Sequence, residues 1–332
     1  MNSVTLDPQG PFKRDPLPPH QMQDRLTHTQ DVVVLCHLGI PRIERDCWSL
    51  TIDGMVERPR TLRFDDLMRY EKTVVASVHQ CCGSPFAPFE PTRRVSNVRW
   101  GGVRLADVLA DSGPSAAAQY IWSYGADSGE FSGVAIDAYI KDLPIARVEA
   151  DVLIGYELNG GVLSAEHGFP ARLVVPGFYG TNSVKWLTRL TVSETRASGP
   201  FTTRWYNDSV LDSAERETGE TTPVWSIAPE SLIVSPMRNE IIPLSTEREI
   251  WGWAWADGGV RKVHVLVGGA GTWQLAELET PREHEWQRFS MPWVAKQRGA
   301  TVLASRAEAN DGRVQPISGR RNATHQVPVN VV

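Results

Sequence analysis

The 332-residue chain carries 34 Lys plus Arg against 39 Asp plus Glu, a formal net charge of −5. At roughly 150 residues per domain this length implies about two domains, with chain enough to bury a core without covalent staples. Apolar residues make up 41% and charged residues 22%, which excludes a disordered chain, and an acidic balance without a long basic run argues against a nucleic-acid partner. The cysteines are Cys36, Cys47, Cys81 and Cys82. None are spaced CxxC, so a disulfide scaffold, a zinc ribbon and c-type haem attachment are all unsupported. No run approaches the ~18 apolar residues of a membrane-spanning helix, so no membrane association is expected.

Residues 1–30 hold Pro8, Pro11, Pro16, Pro18 and Pro19 without periodicity and read as a flexible N-terminal arm. They contain no apolar signal region and no early twin-Arg pair. The expected localisation is cytoplasmic, with a periplasmic one left open for a processed or co-exported form. Ordered structure is expected from residue 31. Residues 48–54 alternate apolar and polar and end in Asp53-Gly54, the pattern of a strand running into a turn. Short helices are expected at 64–68 and 105–109, the second closed by Gly113-Pro114, and strands at 120–124, 152–157 and 172–175. Helices and strands without βαβ spacing predict an α+β domain over 31–200. The polar stretch 201–224 reads as a connection. From 225 to 332, strand-like runs at 232–235, 248–256, 262–267, 273–278, 287–291 and 301–307 recur between Gly-rich turns and predict an all-β sandwich. Trp251, Trp253 and Trp255 share one side of a strand. Filling the sandwich core is the plainer expectation for them, and a partner face is the other.

Two segments carry chemistry. Residues 78–85 read Val-His-Gln-Cys-Cys-Gly-Ser-Pro and follow the β-branched pair Val74-Val75. Cys81 and Cys82 therefore sit where a strand ends, a place where reactive groups concentrate. A thiolate there is a nucleophile or a soft-metal ligand; the alternative is a pair of buried, inert thiols. Neighbours on an extended chain point to opposite faces, so at most one serves a given site. In the second segment, 151–187, His167 and Arg172 precede an apolar β-run, and Lys185 follows a loop containing Gly177 and Gly180. Glycines admit close backbone approach and the cations suit phosphate, although solvated charges at strand ends would look the same. Without GxGxxG or GxxxxGK[ST], the loop is weak evidence for a nucleotide site.

Together these segments resemble the sulfite oxidase-type molybdopterin oxidoreductases of the bacterial kind without a haem domain. The resemblance is carried by residues 48–54, Gln80-Cys81-Cys82-Gly83, residues 100–105 (Trp-Gly-Gly-Val-Arg-Leu) and residues 156–187. It continues through residues 250–255 and 306–312 to Gln315-Pro316. It implies a molybdenum-molybdopterin catalytic domain over 31–200, followed by an immunoglobulin-like dimerisation domain over 225–332. It further implies a homodimer, a small-molecule substrate and a separate electron carrier, with no haem. Carried over by position, Cys81 is the metal ligand and catalytic cysteine, with Cys82 a rival one residue away. His37, Asp127, His167, Arg172 and Lys185 become contacts to the cofactor.

The departures concern substrate. Where the family places arginines around a bound oxyanion, this chain has Leu35, Ser84-Pro85-Phe86 and Gln326, and the substrate-facing tyrosine falls on Ser198. A charge-assisted hydrogen bond is worth about 1.5–3 kcal/mol, so losing two or three would cripple sulfite binding. Leu35, Phe86 and Gln326 are expected to line an apolar pocket. Arg93 and Arg94 read as surface charges; a return of Arg93, Arg94 or Arg204 to the substrate is the other reading. The expected activity is two-electron oxygen-atom transfer on a substrate other than sulfite. The alternatives are a reductase of a neutral sulfoxide or N-oxide, and a cofactor-binding protein without turnover.

Overall fold

The computed structural model describes residues 4–83, 90, 93–148, 151–212, 216–268 and 271–332. Among them the α-helices are Phe64–Leu67, Leu105–Ala110 and Pro200–Thr203, and strands dominate the rest. The fold is therefore mostly β, not the α+β mixture expected. The helices are one or two turns long, too short to form a layer of their own. None is long and apolar enough to cross a membrane.

The chain divides into two contact-defined units, residues 1–14, 34–75 and 99–225, and residues 15–33, 76–98 and 226–332. This differs from a simple cut near residue 200. Segments 15–33 and 76–98, the second of them carrying Cys81, group with the C-terminal region.

In the first unit a five-stranded sheet runs Ile140–Pro144, Tyr120–Gly125, Leu187–Ser193, Ser49–Gly54, Arg60–Arg63. Leu187–Ser193 is parallel to Ser49–Gly54, and its other neighbour is antiparallel. The alternation read at 48–54 does its expected work, since Leu50 and Ile52 are fully buried while Thr51 and Asp53 are not. Leu153–Leu158 pairs with Arg172–Val174 and with residues 100–104. Gly102 faces Gly155 in that pairing, and a Cβ at Gly102 would lie 2.3 Å from the Ile154 carbonyl oxygen, so only glycine permits the approach. Leu50, Ile52, Ile121 and Leu190 share one core with Val103, Ile154, Leu173 and the helix residues Leu105 and Val108.

The N-terminal segment is not a loose arm over its described residues. Leu6–Gln9 pairs with Gly39–Pro41, and Phe12–Arg14 pairs with Val34–Cys36. Ribbons of three or four residues are too short to display a period, and proline is tolerated in two-stranded edges. The expected connection is also structured. Phe201 is fully buried in the first core, and Asn207–Leu211 forms a hairpin with Glu217–Pro223. Glu217–Pro223 is exposed almost throughout, which is why no hydrophobic alternation marks it.

In the second unit, Glu230–Ser235, Glu247–Trp255, Gln287–Val294 and Glu277–Leu278 form one sheet. Ile241–Ile242, His325–Val331, Gly299–Ala309, Val260–Val267 and Gln274–Leu275 form another. Ile250, Ala254, Phe289 and Met291 of the first share a core with Val263, Val265, Leu303 and Val327 of the second, a β-sandwich. Because Ile250 and Ala254 face that core, Trp251, Trp253 and Trp255 face away from it, contrary to expectation. Their side of the sheet is covered instead by the grouped segments. Trp253 donates to the Met22 carbonyl at 2.7 Å and stacks on Trp286 at 4.9 Å. Trp255 donates to Gln80 Oε1 at 2.8 Å, and Trp251 lies under Arg288.

Candidate cofactor site

The sequence-derived residues His37, Asp127, His167, Arg172 and Lys185 gather within the first unit. His167 ends the single turn Ala165–His167, and Gly168 follows in a left-handed conformation (φ 107°). A Cβ at Gly168 would meet Cβ atoms of both Arg172 and Lys185 at 3.1 Å, so this glycine lets the turn close onto the two cations. Arg172 opens the strand Arg172–Val174 and is buried. It donates to the carbonyls of His167 (3.0 Å) and Ser183 (2.9 Å), with its guanidinium 4.8 Å from the Trp100 ring. Lys185 follows the turn Gly180–Asn182 and reaches the carbonyls of Leu35 (3.1 Å) and Glu166 (3.0 Å) and the Cys36 sulfur (2.9 Å).

Burial dominates the electrostatics. It lowers Arg172 to about 9 and holds Lys185 below the usual lysine range, with the neighbouring Cys36 acting the other way on both. Burial, with Arg172 next in weight, lowers His167 to about 4. Burial, then the Lys185 charge, lowers His37 to about 4. Asp127 is 4% exposed, and burial pushes its carboxyl up to about 7 against the pull of Lys185. His37 sits among the rings of Phe131, Tyr139 and Phe201, with Tyr206 Oη 2.5 Å from its Nε2. Sequence reasoning missed Tyr206; a lone tyrosine in a polar stretch carries no signal. Ser198, where a substrate-facing tyrosine was sought, is exposed.

Arg172 is thus a buried cation and Lys185 a half-buried one, and their hydrogen-bond partners among the described residues are carbonyls and one thiol, with no carboxylate in ion-pair range. His167 Nε2 is buried and has no hydrogen-bond partner among them. Buried charge without a counter-charge is costly, and a phosphate-bearing ligand is what this donor set lacks. The residues fit the phosphate end of a pterin cofactor.

Cys81 belongs to the second unit, directly after the strand Lys72–Gln80. Its backbone N–H donates to the Arg94 carbonyl at 2.9 Å, and its sulfur accepts from the Gly83 N–H at 3.4 Å. Cys81 is half-buried, whereas Cys82 is buried. The Cys81 thiol is lowered to about 6, chiefly by its hydrogen bond with Cys82, then by the Gly83 N–H and the Arg94 and Arg321 charges, with burial opposing. Cys81, the more accessible of the two and with a lowered thiol, is suited to be a soft-metal ligand. No group of three or more His, Cys, Asp or Glu side chains suited to a metal occurs among the described residues.

The arginine pair departs from expectation. Arg93 is fully buried and ion-paired with Glu230 at 3.1 Å, so it is no surface charge. Arg94 is half-buried and donates to the Gly83 carbonyl at 2.9 Å. Arg204 lies over the Trp205 ring. Leu35 is 38% exposed, pointing outward between buried Val34 and Cys36. Gln326 is half-buried on His325–Val331, opposite Ala304. Ser84, Pro85 and Phe86 lie outside the described residues.

Comparison with known proteins matches the oxidoreductase molybdopterin binding domain to residues 37–201 and the Mo-co oxidoreductase dimerisation domain to residues 221–323. Similar curated proteins include mitochondrial sulfite oxidase of Mus musculus, 31% identical over 99% of this chain and 66% of that protein. An NADH nitrate reductase of Ulva prolifera is 28% identical over 94% of this chain and 40% of that protein. The chain thus spans just under two thirds of the first relative and less than half of the second. Among solved structures, the sulfane dehydrogenase SoxCD of Paracoccus pantotrophus superposes with a TM-score of 0.80 at 25% identity, covering 99% of this chain and 87% of that one.

Proposed function

Since the chain belongs to the sulfite oxidase-type molybdopterin oxidoreductases, we propose that it catalyses two-electron oxygen-atom transfer with Cys81 as the protein ligand of the metal. The observation that carries the reading is the buried Arg172 and the half-buried Lys185 beside His167 Nε2, which has no hydrogen-bond partner among the described residues. Arg172, Lys185 and His167 hold the cofactor's phosphate end, with His37 and Asp127 as further contacts. The neutral imidazoles of His37 and His167 add donors without adding charge to an already cationic cluster. When bound there, molybdenum would supply a two-electron redox couple, for a net reaction in which the substrate gains an oxygen atom from water and two protons are released. Those electrons then pass to a separate carrier.

The substrate we propose is not sulfite but a neutral or larger molecule. Leu35 and Gln326 supply no positive charge, and a small dianion is poorly desolvated without paired cations. Arg94, near the cysteine, is engaged by the Gly83 carbonyl, and with Arg321 it serves to stabilise the Cys81 thiolate. The sandwich, immunoglobulin-like on this reading, pairs two chains about a two-fold axis, the commonest oligomer symmetry.

The test is elemental analysis of purified protein, followed by steady-state kinetics with a dye acceptor. About one molybdenum per chain is expected, with negligible sulfite turnover in loaded protein and activity on a neutral sulfur or nitrogen compound. Protein made in a cofactor-competent host yet devoid of molybdenum would overturn the whole reading. A sulfite kcat/KM in the ordinary range of about 10⁴–10⁸ M⁻¹s⁻¹ would overturn the substrate.

A further inference from the structure

The loop that carries Cys81 has two feet, and both are held by the C-terminal sandwich. Gln80, immediately before Cys81, is fully buried, and its side-chain amide bonds to that domain. Its Nε2 donates to a carboxylate oxygen of Glu230 and to Asn322 Oδ1 at 3.0 Å, and its Oε1 accepts from Trp255 Nε1 at 2.8 Å. At the far foot, Arg93 is fully buried. Its Nε lies 3.1 Å from Glu230 Oε1, its Nη2 donates to the Ala323 carbonyl at 3.2 Å, and its Nη1 donates back to the Glu90 carbonyl at 3.3 Å. The bond from the Cys81 N–H to the Arg94 carbonyl closes the base of the loop between the feet.

Glu230 is the point where the feet meet. It is itself fully buried, at the start of the strand Glu230–Ser235, so one carboxylate touches both ends of the cysteine loop. Asn322, which takes the second Gln80 hydrogen, is fixed in turn by donating to the Ala228 carbonyl at 2.9 Å. A buried carboxylate and guanidinium are a poor way to stabilise a fold, since apolar residues of similar volume often do better. The Gln80 Nε2 hydrogen bond to that carboxylate is charge-assisted and directional, and the Arg93 guanidinium paired with the same carboxylate is fixed by its bonds to the Ala323 and Glu90 carbonyls, so together they hold geometry. We propose that Glu230 is a positioning residue: through Gln80 and Arg93 it sets the orientation of the Cys81 sulfur, so that the sandwich domain governs the metal ligand. The inference rests on reading Cys81 as that ligand.

The test compares Glu230→Gln with the double variant Glu230→Gln/Arg93→Met, which leaves no lone buried charge. Iodoacetamide alkylation is followed by peptide mass spectrometry in cofactor-free full-length protein, with exposed Cys47 as the internal reference. A positioning role predicts that Cys81 alkylates about tenfold or more faster, relative to Cys47, in both variants, since the loop opens locally once its charged anchor is gone. The double variant should regain thermal stability over the single one without slowing Cys81 alkylation. In cofactor-loaded protein the paramagnetic resonance signal of the metal should shift in both variants. Unchanged Cys81 alkylation in either variant, or acceleration abolished in the double variant along with the stability loss, would reduce Glu230 to a structural role and overturn the proposal. Should the single variant fail to fold, the double variant decides alone. Molybdenum and turnover retained in Cys81→Ser would instead remove the ligand assignment, an outcome the alkylation rates do not depend on.

Discussion

Asp127 offers a measurement that isolates the electrostatics of the cofactor site. Its carboxyl is buried, with the folded value raised from 3.8 to about 7. The sign is the reverse of the usual carboxylate case. Below pH 3.8 the group is protonated folded or unfolded and costs nothing. As pH rises towards 7 the unfolded chain ionises while the folded one resists, so stability falls, and above pH 7 the full penalty remains. At about 1.4 kcal/mol per pH unit of separation, that penalty is on the order of 4 kcal/mol at pH 8 and less than half of that at pH 5. Asp127→Asn keeps the shape and removes the ionisation. In cofactor-free protein it should raise the free energy of unfolding by up to about 4 kcal/mol at pH 8, and the gain should shrink steadily on going to pH 5. Urea titrations of both proteins at pH 5, 6 and 8 read this directly. A variant less stable than the parent at pH 8, or a gain independent of pH, would mean that attraction to Lys185 outweighs burial and that the reasoning is wrong.

The remaining predictions concern the cofactor. Cys81→Ser should abolish turnover, because a hydroxyl is a poor soft-metal ligand, while Cys82→Ala should leave metal and activity largely intact; the opposite pattern in a dye-linked assay would move the ligand to Cys82. Arg172→Ala and Lys185→Ala should lower molybdenum content more than they lower the rate per bound molybdenum, since groups at the phosphate end stabilise binding and transition state alike. Full loading of either variant would contradict that.

Strands were legible where a half-buried face makes them alternate, as at 48–54. The periodicity at 248–256 located Glu247–Trp255 to within a residue. Alternation says which residues share a face, however, and not which face is the sandwich core. Trp251, Trp253 and Trp255 were put on the wrong side because segments 15–33 and 76–98 also cover that sheet, leaving both its faces apolar. Glu217–Pro223 and the N-terminal ribbons failed for the opposite reason, being too exposed or too short to carry a period. The helices Phe64–Leu67 and Leu105–Ala110 were visible while Pro200–Thr203 was not, and helices so short weigh little in a fold that is mostly β.

The gathering of His167, Arg172 and Lys185 was readable and the surroundings of Leu35, Phe86 and Gln326 were not, and the difference is one of chain distance. His167, Arg172 and Lys185 lie in a single segment, and the left-handed Gly168 between them is what brings all three together. A local pattern therefore specifies a local site. The substrate positions at Leu35, Phe86 and Gln326 come from three remote segments, each judged singly. The cysteine loop depends on remoteness more strongly still. Nothing around Arg93 announces a buried cation, and nothing around Glu230 announces its partner. Each becomes necessary only because the other is there, since either charge left alone in that interior would cost several kcal/mol. A charge read from sequence as surface should accordingly be re-examined wherever a lone opposite charge opens a core strand, as Glu230 does in a run that is otherwise Ser-Leu-Ile-Val. Had that carboxylate been treated as an unpaired buried charge in search of a cation, the arginines flanking the cysteine loop would have been the first candidates.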